Sequence, residues 1–140
     1  PSWNTTLITT LNAEAGTDAD IDDIDIGAGF NVVIGGAAGD TVDVNGTATD
    51  AQSYVIGDSG SITLQTSTGN LLSIESTDYD YGGADVINLI AGTNAVIGGA
   101  SGDEIGAEAG TNTILGDAGK ATFTADGTLQ LIESSSLQLY

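Results

Sequence analysis

The sequence predicts an all-β fold: a parallel β-roll or β-solenoid of nine-residue half-turns, with β-hairpin extensions between two long repeats. Three observations carry that expectation. A branched apolar residue recurs every ninth position, glycine clusters between those positions, and whole stretches of the chain recur once. Glycine is 21 of 140 residues, about twice its usual share of roughly 7%. That much glycine is compatible with disorder, but 40% hydrophobic residues supply material for a packed core.

The nine-residue rows justify the half-turn. Residues 80–124 divide without a gap into DYGGADVIN, LIAGTNAVI, GGASGDEIG, AEAGTNTIL and GDAGKATFT. Their eighth column reads Ile87, Val96, Ile105, Ile114 and Phe123, and their sixth reads Asp85, Asn94, Asp103, Asn112 and Ala121. Residues 17–43 repeat the pattern as TDADIDDID, IGAGFNVVI and GGAAGDTVD, with Ile24, Val33 and Val42 in column eight and Asp22, Asn31 and Asp40 in column six. After a four-residue shift near VNGT, residues 48–65 resume with Val55 and Leu64 in column eight, over Ser53 and Ile62 in column six. One buried apolar position per row, flanked by glycines that permit left-handed backbone angles, describes a short strand and a tight turn. Two rows then make one eighteen-residue coil. A single coil cannot bury its apolar strip, but a stack of coils can.

A longer unit contains the rows. VIGGAAGD at 33–40 matches VIGGASGD at 96–103, YVIGDSGSITL at 54–64 matches TILGDAGKATF at 113–123, and GNLLSIEST at 69–77 matches GTLQLIESS at 127–135. A fainter copy, TLITTLNA, stands at 6–13. The chain therefore divides into the end of a preceding repeat spacer (1–16), a first long repeat (17–79, roll 17–65 and spacer 61–79) and a second (80–140, roll 80–124 and spacer 120–140). Alternating apolar residues on either side of Asp126-Gly127 make 120–134 a hairpin with a two-residue turn. Residues 61–76 form the same hairpin with a looser loop. Opening on Pro1, with no charged-then-apolar signal segment, the chain reads as a piece of a larger or processed protein.

Stacking at eighteen residues has a chemical consequence. It sets Asp22 over Asp40 and Asp85 over Asp103 on one edge, and Asn94 over Asn112 with a solitary Asn31 on the other. Carboxylates about 5 Å apart repel by roughly 1 kcal/mol in water and by more where water is excluded. A divalent cation offsets that repulsion. Calcium accepts six to eight oxygens in flexible geometry, whereas magnesium demands a stricter one. The alternative for the same Asp residues is a turn cap made by side-chain to backbone hydrogen bonds.

These rows resemble the repeats-in-toxin (RTX) calcium-binding β-roll, whose nonapeptide is G-G-x-G-x-D-x-U-x. The best matches are GGAAGDTVD at 35–43 and GGASGDEIG at 98–106. The long repeat is similar to the tandem modules of very large secreted bacterial surface proteins. The resemblance implies Ca²⁺ bound between successive turns by Asp22, Asp40, Asp85 and Asp103, aided by turn carbonyls. Two departures stand against it: column four holds Ala38 and Ser101 instead of glycine, and alternate rows offer Asn, which implies a hydrogen-bonded ladder without metal on that edge.

The remaining acidic and aromatic residues have plainer readings. DADIDDID at 18–25 is a strand with a solvated acidic face. Asp58 and Asp117, in column two, form turns. Trp3, Tyr79, Tyr81 and Tyr140 serve as spacer packing or end caps. Twenty acidic residues face one base, Lys120, for a net charge of −19; such a surface repels nucleic acid and anionic lipid. No apolar run is long enough to span a bilayer. With no His and no Cys, the usual triads and thiol or imidazole metal sites cannot form, and with no Arg the clamps of phosphoryl transfer are missing. The expected function is a non-catalytic, calcium-ordered structural segment, an extender in an extracellular, adhesin-like array, whose partners are calcium ions and neighbouring repeats. The second expectation is a filament or surface-layer subunit stacking end to end with like subunits.

Overall fold

A computed structural model describes the backbone of residues 7–9 and the whole of residues 21–135. The expectations for Trp3, Tyr140 and most of the 1–16 spacer lie outside the described residues. Among those described, every regular element is a strand. The strands are β1 (Leu7–Thr9), β2 (Asp23–Ile26), β3 (Phe30–Ile34), β4 (Thr41–Val44), β5 (Gln52–Ile56), β6 (Gly60–Leu64), β7 (Leu71–Ser76), β8 (Val86–Leu89), β9 (Thr93–Gly99), β10 (Glu104–Ala107), β11 (Thr111–Asp117), β12 (Gly119–Phe123) and β13 (Leu129–Ser134).

They form three sheets, in the orders β10-β8-β4-β2, β11-β9-β5-β3 and β1-β6-β7-β12-β13. The first two sheets are parallel throughout; the third is antiparallel. The chain lays one strand in the first sheet and the next in the second, does so again, then makes a hairpin in the third. This order, β2 to β7, recurs as β8 to β13.

A continuous two-sheet parallel roll is therefore not what forms. The rows 57–65 and 116–124, read from the sequence as roll rows, turn out of the parallel sheets and supply β6 (from Gly60) and β12 (from Gly119) of the antiparallel sheet. Leu64 and Phe123 accordingly belong to a different core from the other column-eight residues. Those eight stack in register: Ile24, Val42, Ile87 and Ile105 in the first sheet, and Val33, Val55, Val96 and Ile114 in the second.

Between these sheets lies a core of Val33, Val42, Val44, Val55, Ile87, Leu89 and Val96. A second core joins the other face of the middle sheet to the hairpins, through Tyr54, Ile56, Ile62, Leu64, Leu71, Ile74, Ala95, Ile97 and Ala121. The middle sheet is buried on both faces, which is why its strands read FNVVI and QSYVI, with consecutive apolar residues. The first sheet has one solvated face and alternates, as DIDI and TVDV. The DIDI strand presents Asp23 and Asp25 to solvent, as its alternation predicts, and Asn45 donates to Asp25 across the strands at 2.6 Å.

Both hairpins form where expected, with one correction. Thr124 N–H donates to Thr128 O, and Gly127 N–H to Thr124 O, so three residues rather than two make the turn around Asp126. Gly127 sits at φ +86°, the left-handed residue such a loop needs. In the first hairpin, Gln65 N–H donates to Asn70 O across a four-residue loop with Gly69 at φ +75°.

Candidate functional site

The sixth-column aspartates each stand just before a strand of the first sheet; the chain reaches Asp40 and Asp103 from the middle sheet through a glycine-rich bend, and Asp85 on its return from the hairpin. Parallel registers bring all four together in one column. Asp22 N–H donates to Asp40 Oδ1 at 2.8 Å, Asp40 N–H to Asp85 Oδ1 at 2.7 Å, and Asp85 N–H to Asp103 Oδ1 at 3.0 Å. The sequence reading paired Asp22 with Asp40 and Asp85 with Asp103. The middle link spans 45 residues of chain, five rows of nine but not a whole number of eighteen-residue coils, so the spacing that pairs the others does not announce it. The carboxylates of Asp40, Asp85 and Asp103 thus cap the backbone of the neighbouring pass, not their own turns.

The second oxygen of each carboxylate is placed differently. Oδ2 of Asp40, Asp85 and Asp103 is buried and accepts no hydrogen bond among the described residues. Each is packed against a glycine: a Cβ on Gly35, Gly57 or Gly98 would stand 2.6, 2.0 or 2.3 Å from the Oδ2 of Asp40, Asp85 or Asp103 respectively. The same three Cβ positions lie 2.1, 2.6 and 2.2 Å from the carbonyl oxygens of Gly57, Gly98 and Gly116. At each level, then, a carboxylate oxygen and a carbonyl oxygen flank one glycine; the carbonyls of Gly57 and Gly98 accept from Gly36 N–H and Asp58 N–H, and it is the carboxylate oxygen that lacks a donor among the described residues.

Asp58 joins this column, although its position in the repeat suggested only a turn. It is 1% exposed and holds Gly83 N–H at 2.9 Å through Oδ1 and Ala100 N–H at 2.5 Å through Oδ2. It therefore clamps the start and the first bend of the second long repeat to the end of the first. Its counterpart Asp117 is exposed. The glycines that let these backbones approach, Gly82 and Gly99, would place a Cβ 2.2 and 2.3 Å from Asp58 Oδ2.

Burial raises the carboxyl pKa of Asp40, Asp85 and Asp103, the amide bond each accepts lowers it in part, and neighbouring carboxylates raise it again. Asp85, inside the column, reaches about 7. Asp58, raised by burial and lowered by its two amide bonds, stands at about 6, with Asp103 and Asp40 pushing upward. The single lysine is elsewhere: Lys120 pairs with Glu75 across the antiparallel sheet at 3.2 Å.

The opposite edge carries amides and a hydroxyl. Asn31 is not solitary; it donates to Ser53 Oγ at 3.2 Å and to Gly27 O at 3.0 Å. Asn94 donates to Asn112 Oδ1 at 2.8 Å and to Ala91 O at 3.3 Å. Ser53 and Asn94 are register partners, so Asn31, Ser53, Asn94 and Asn112 make one polar column. Of the aromatic residues assigned to packing, Tyr79 accepts a hydrogen bond from Ser135 at 3.2 Å, while Tyr81 is 42% exposed. Comparison with family models, with curated proteins and with solved structures returns no match to this chain.

Proposed function

We propose that this chain is a non-catalytic, calcium-ordered structural segment of β-solenoid type, an extender in an adhesin-like array of a secreted or cell-surface protein. The observation that carries the reading is the set of buried Oδ2 atoms of Asp40, Asp85 and Asp103, which have no donor among the described residues, while the single lysine pairs with Glu75. Burying a carboxylate without a partner costs several kcal/mol, and two remedies exist: a proton or a cation. Paired carboxylate and carbonyl oxygens at successive levels are the hard ligands calcium takes. Among the described residues no three acidic side chains converge on one point. Each level therefore offers one carboxylate and turn carbonyls, and an ion there would be bound as the turns order around it.

The extender half of the reading is supported by the alternation of the chain between two parallel sheets and by the recurrence of strand order along the stack. Catalysis lacks a supporting constellation. The cleft between the middle sheet and the hairpins, about 310 Å³, is lined by Gln52, Tyr54, Thr93 and Thr111 and holds one carboxylate, Asp126, where paired-carboxylate chemistry requires two.

Thermal unfolding at pH 7.5 tests the cation. Millimolar calcium is expected to raise the Tm by several degrees over a chelator-treated sample, by linkage of binding to folding, and to lose that effect near pH 4, where protons occupy the same oxygens. Identical melts in calcium and in chelator at pH 7.5 would remove calcium from the proposal.

A further inference from the structure

Equivalent residues of the two long repeats differ in burial, and the differences fall at one end of the stack. Strand β7 (LLSIES) is largely covered, with Leu71 and Ile74 at 4% and 1% exposure, whereas β13 (LQLIES) leaves Leu129, Leu131 and Ile132 at 42%, 45% and 43%. Asp58 holds Gly83 and Ala100, while Asp117 is exposed. Val55 is fully buried, yet its counterpart Ile114 is 38% exposed. Each first-repeat residue is covered by the second repeat, through pairing of β4 with β8, β5 with β9 and β7 with β12.

The other end carries the matching half. Asp22 has a carboxylate with no donor among the described residues, as Asp103 has an N–H with no acceptor among them, so the column is polar and extends in one sense only. Ala37, the counterpart of Ala100, has an N–H without an acceptor among the described residues. Phe30, on edge strand β3, is 52% exposed.

We propose that a second copy of this chain docks head to tail on the β10, β11 and β13 end, reproducing between molecules the junction that already joins the two repeats. Its β2 pairs with β10 and its β3 with β11, in parallel. Its Asp22 carboxylate accepts from Asp103 N–H, and Asp117 accepts from its Ala37 N–H. In the antiparallel sheet β1 sits on β6, Ile8 opposite Ile62, as β7 sits on β12, Ile74 opposite Ala121. The exposed β13 therefore takes the place of β1 on the incoming copy. Such a heterologous contact does not close on itself and grows into a rod.

The proposal goes beyond the cation reading and does not depend on it. The full chain is examined by sedimentation and electron microscopy across protein concentration, in high salt to screen the net charge of −19, with calcium and with chelator. Concentration-dependent rods are expected in at least one of these conditions. Phe30→Lys and Ile114→Lys, both at exposed positions, block opposite ends: each alone is expected to stay monomeric, and an equimolar mixture to stop at one-to-one dimers. The chain has no cysteine, so a doubly substituted Ala37→Cys, Asp117→Cys chain reports the contact directly, by disulfide ladders between molecules on oxidation. A parent monomer at every concentration in both conditions overturns the proposal, as do rods that form without the Ala37–Asp117 crosslink. Failure here with a calcium-dependent Tm leaves the structural-segment reading standing, and the reverse result separates the two in the other direction.

Discussion

At the scale of single residues, the aspartate column couples stability to protons. Asp85 titrates at about 7 and Asp58 at about 6 when folded, against about 3.9 in an unfolded chain. Between those values the native state binds more protons than the unfolded state. The stabilisation is therefore complete below about pH 4 and falls as pH rises through 6 and 7. Metal-free protein should show a Tm that declines over that window. Asp85→Asn keeps an acceptor for Asp40 N–H and removes the charge; it is expected to raise the metal-free Tm at pH 8 by on the order of 5 °C and to change it little at pH 4. A parallel decline in variant and parent, followed by circular dichroism, would assign the effect elsewhere.

At the scale of elements, the bends show what the sequence announced and what it concealed. Ala38 and Ser101 occupy the column where a glycine was missed, and both adopt left-handed backbone angles, φ 134° and 76°. The position demands glycine whatever residue fills it. Ala38→Gly and Ser101→Gly are each expected to stabilise by about 1 kcal/mol, the released strain exceeding the added entropy of the unfolded chain, as read from urea midpoints. The apolar column and its register were legible in the spacing alone, because parallel strands of equal pitch align equal positions. The parallel sheet of alternate rows was expected, but not that a third sheet would cover its other face, although that signal was present: adjacent apolar residues such as Val32-Val33 and Val55-Ile56 serve two cores. Rows 57–65 and 116–124 misled because Leu64 and Phe123 keep the nine-residue interval while turning into another sheet.

At the scale of the whole molecule, position in the stack outweighs local sequence. GDSG at 57–60 and GDAG at 116–119 are nearly identical, yet only the first is enclosed by a following repeat. Asp58→Ala abandons two buried amides and is expected to cost about 2–3 kcal/mol, offset in part by loss of a buried charge. Asp117→Ala should lie within about 0.5 kcal/mol of the parent. Equilibrium unfolding of the two variants at pH 4, where Asp58 is protonated when folded and charge matters least, measures the difference. No sequence rule separates these two aspartates, since the distinction arises from what lies 25 and 42 residues further along the chain. The same holds for the link between Asp40 and Asp85.

Residues 59–82 leave the parallel sheets, build a hairpin and return, and the departure and return points are tied by one hydrogen bond from Gly83 N–H to Asp58. The stack on either side resumes with its register intact. It keeps time by passes and is indifferent to the length of chain spent between them. Chain is thus spent between two passes, here on a hairpin that covers the middle sheet, while the strands above and below keep their pairing.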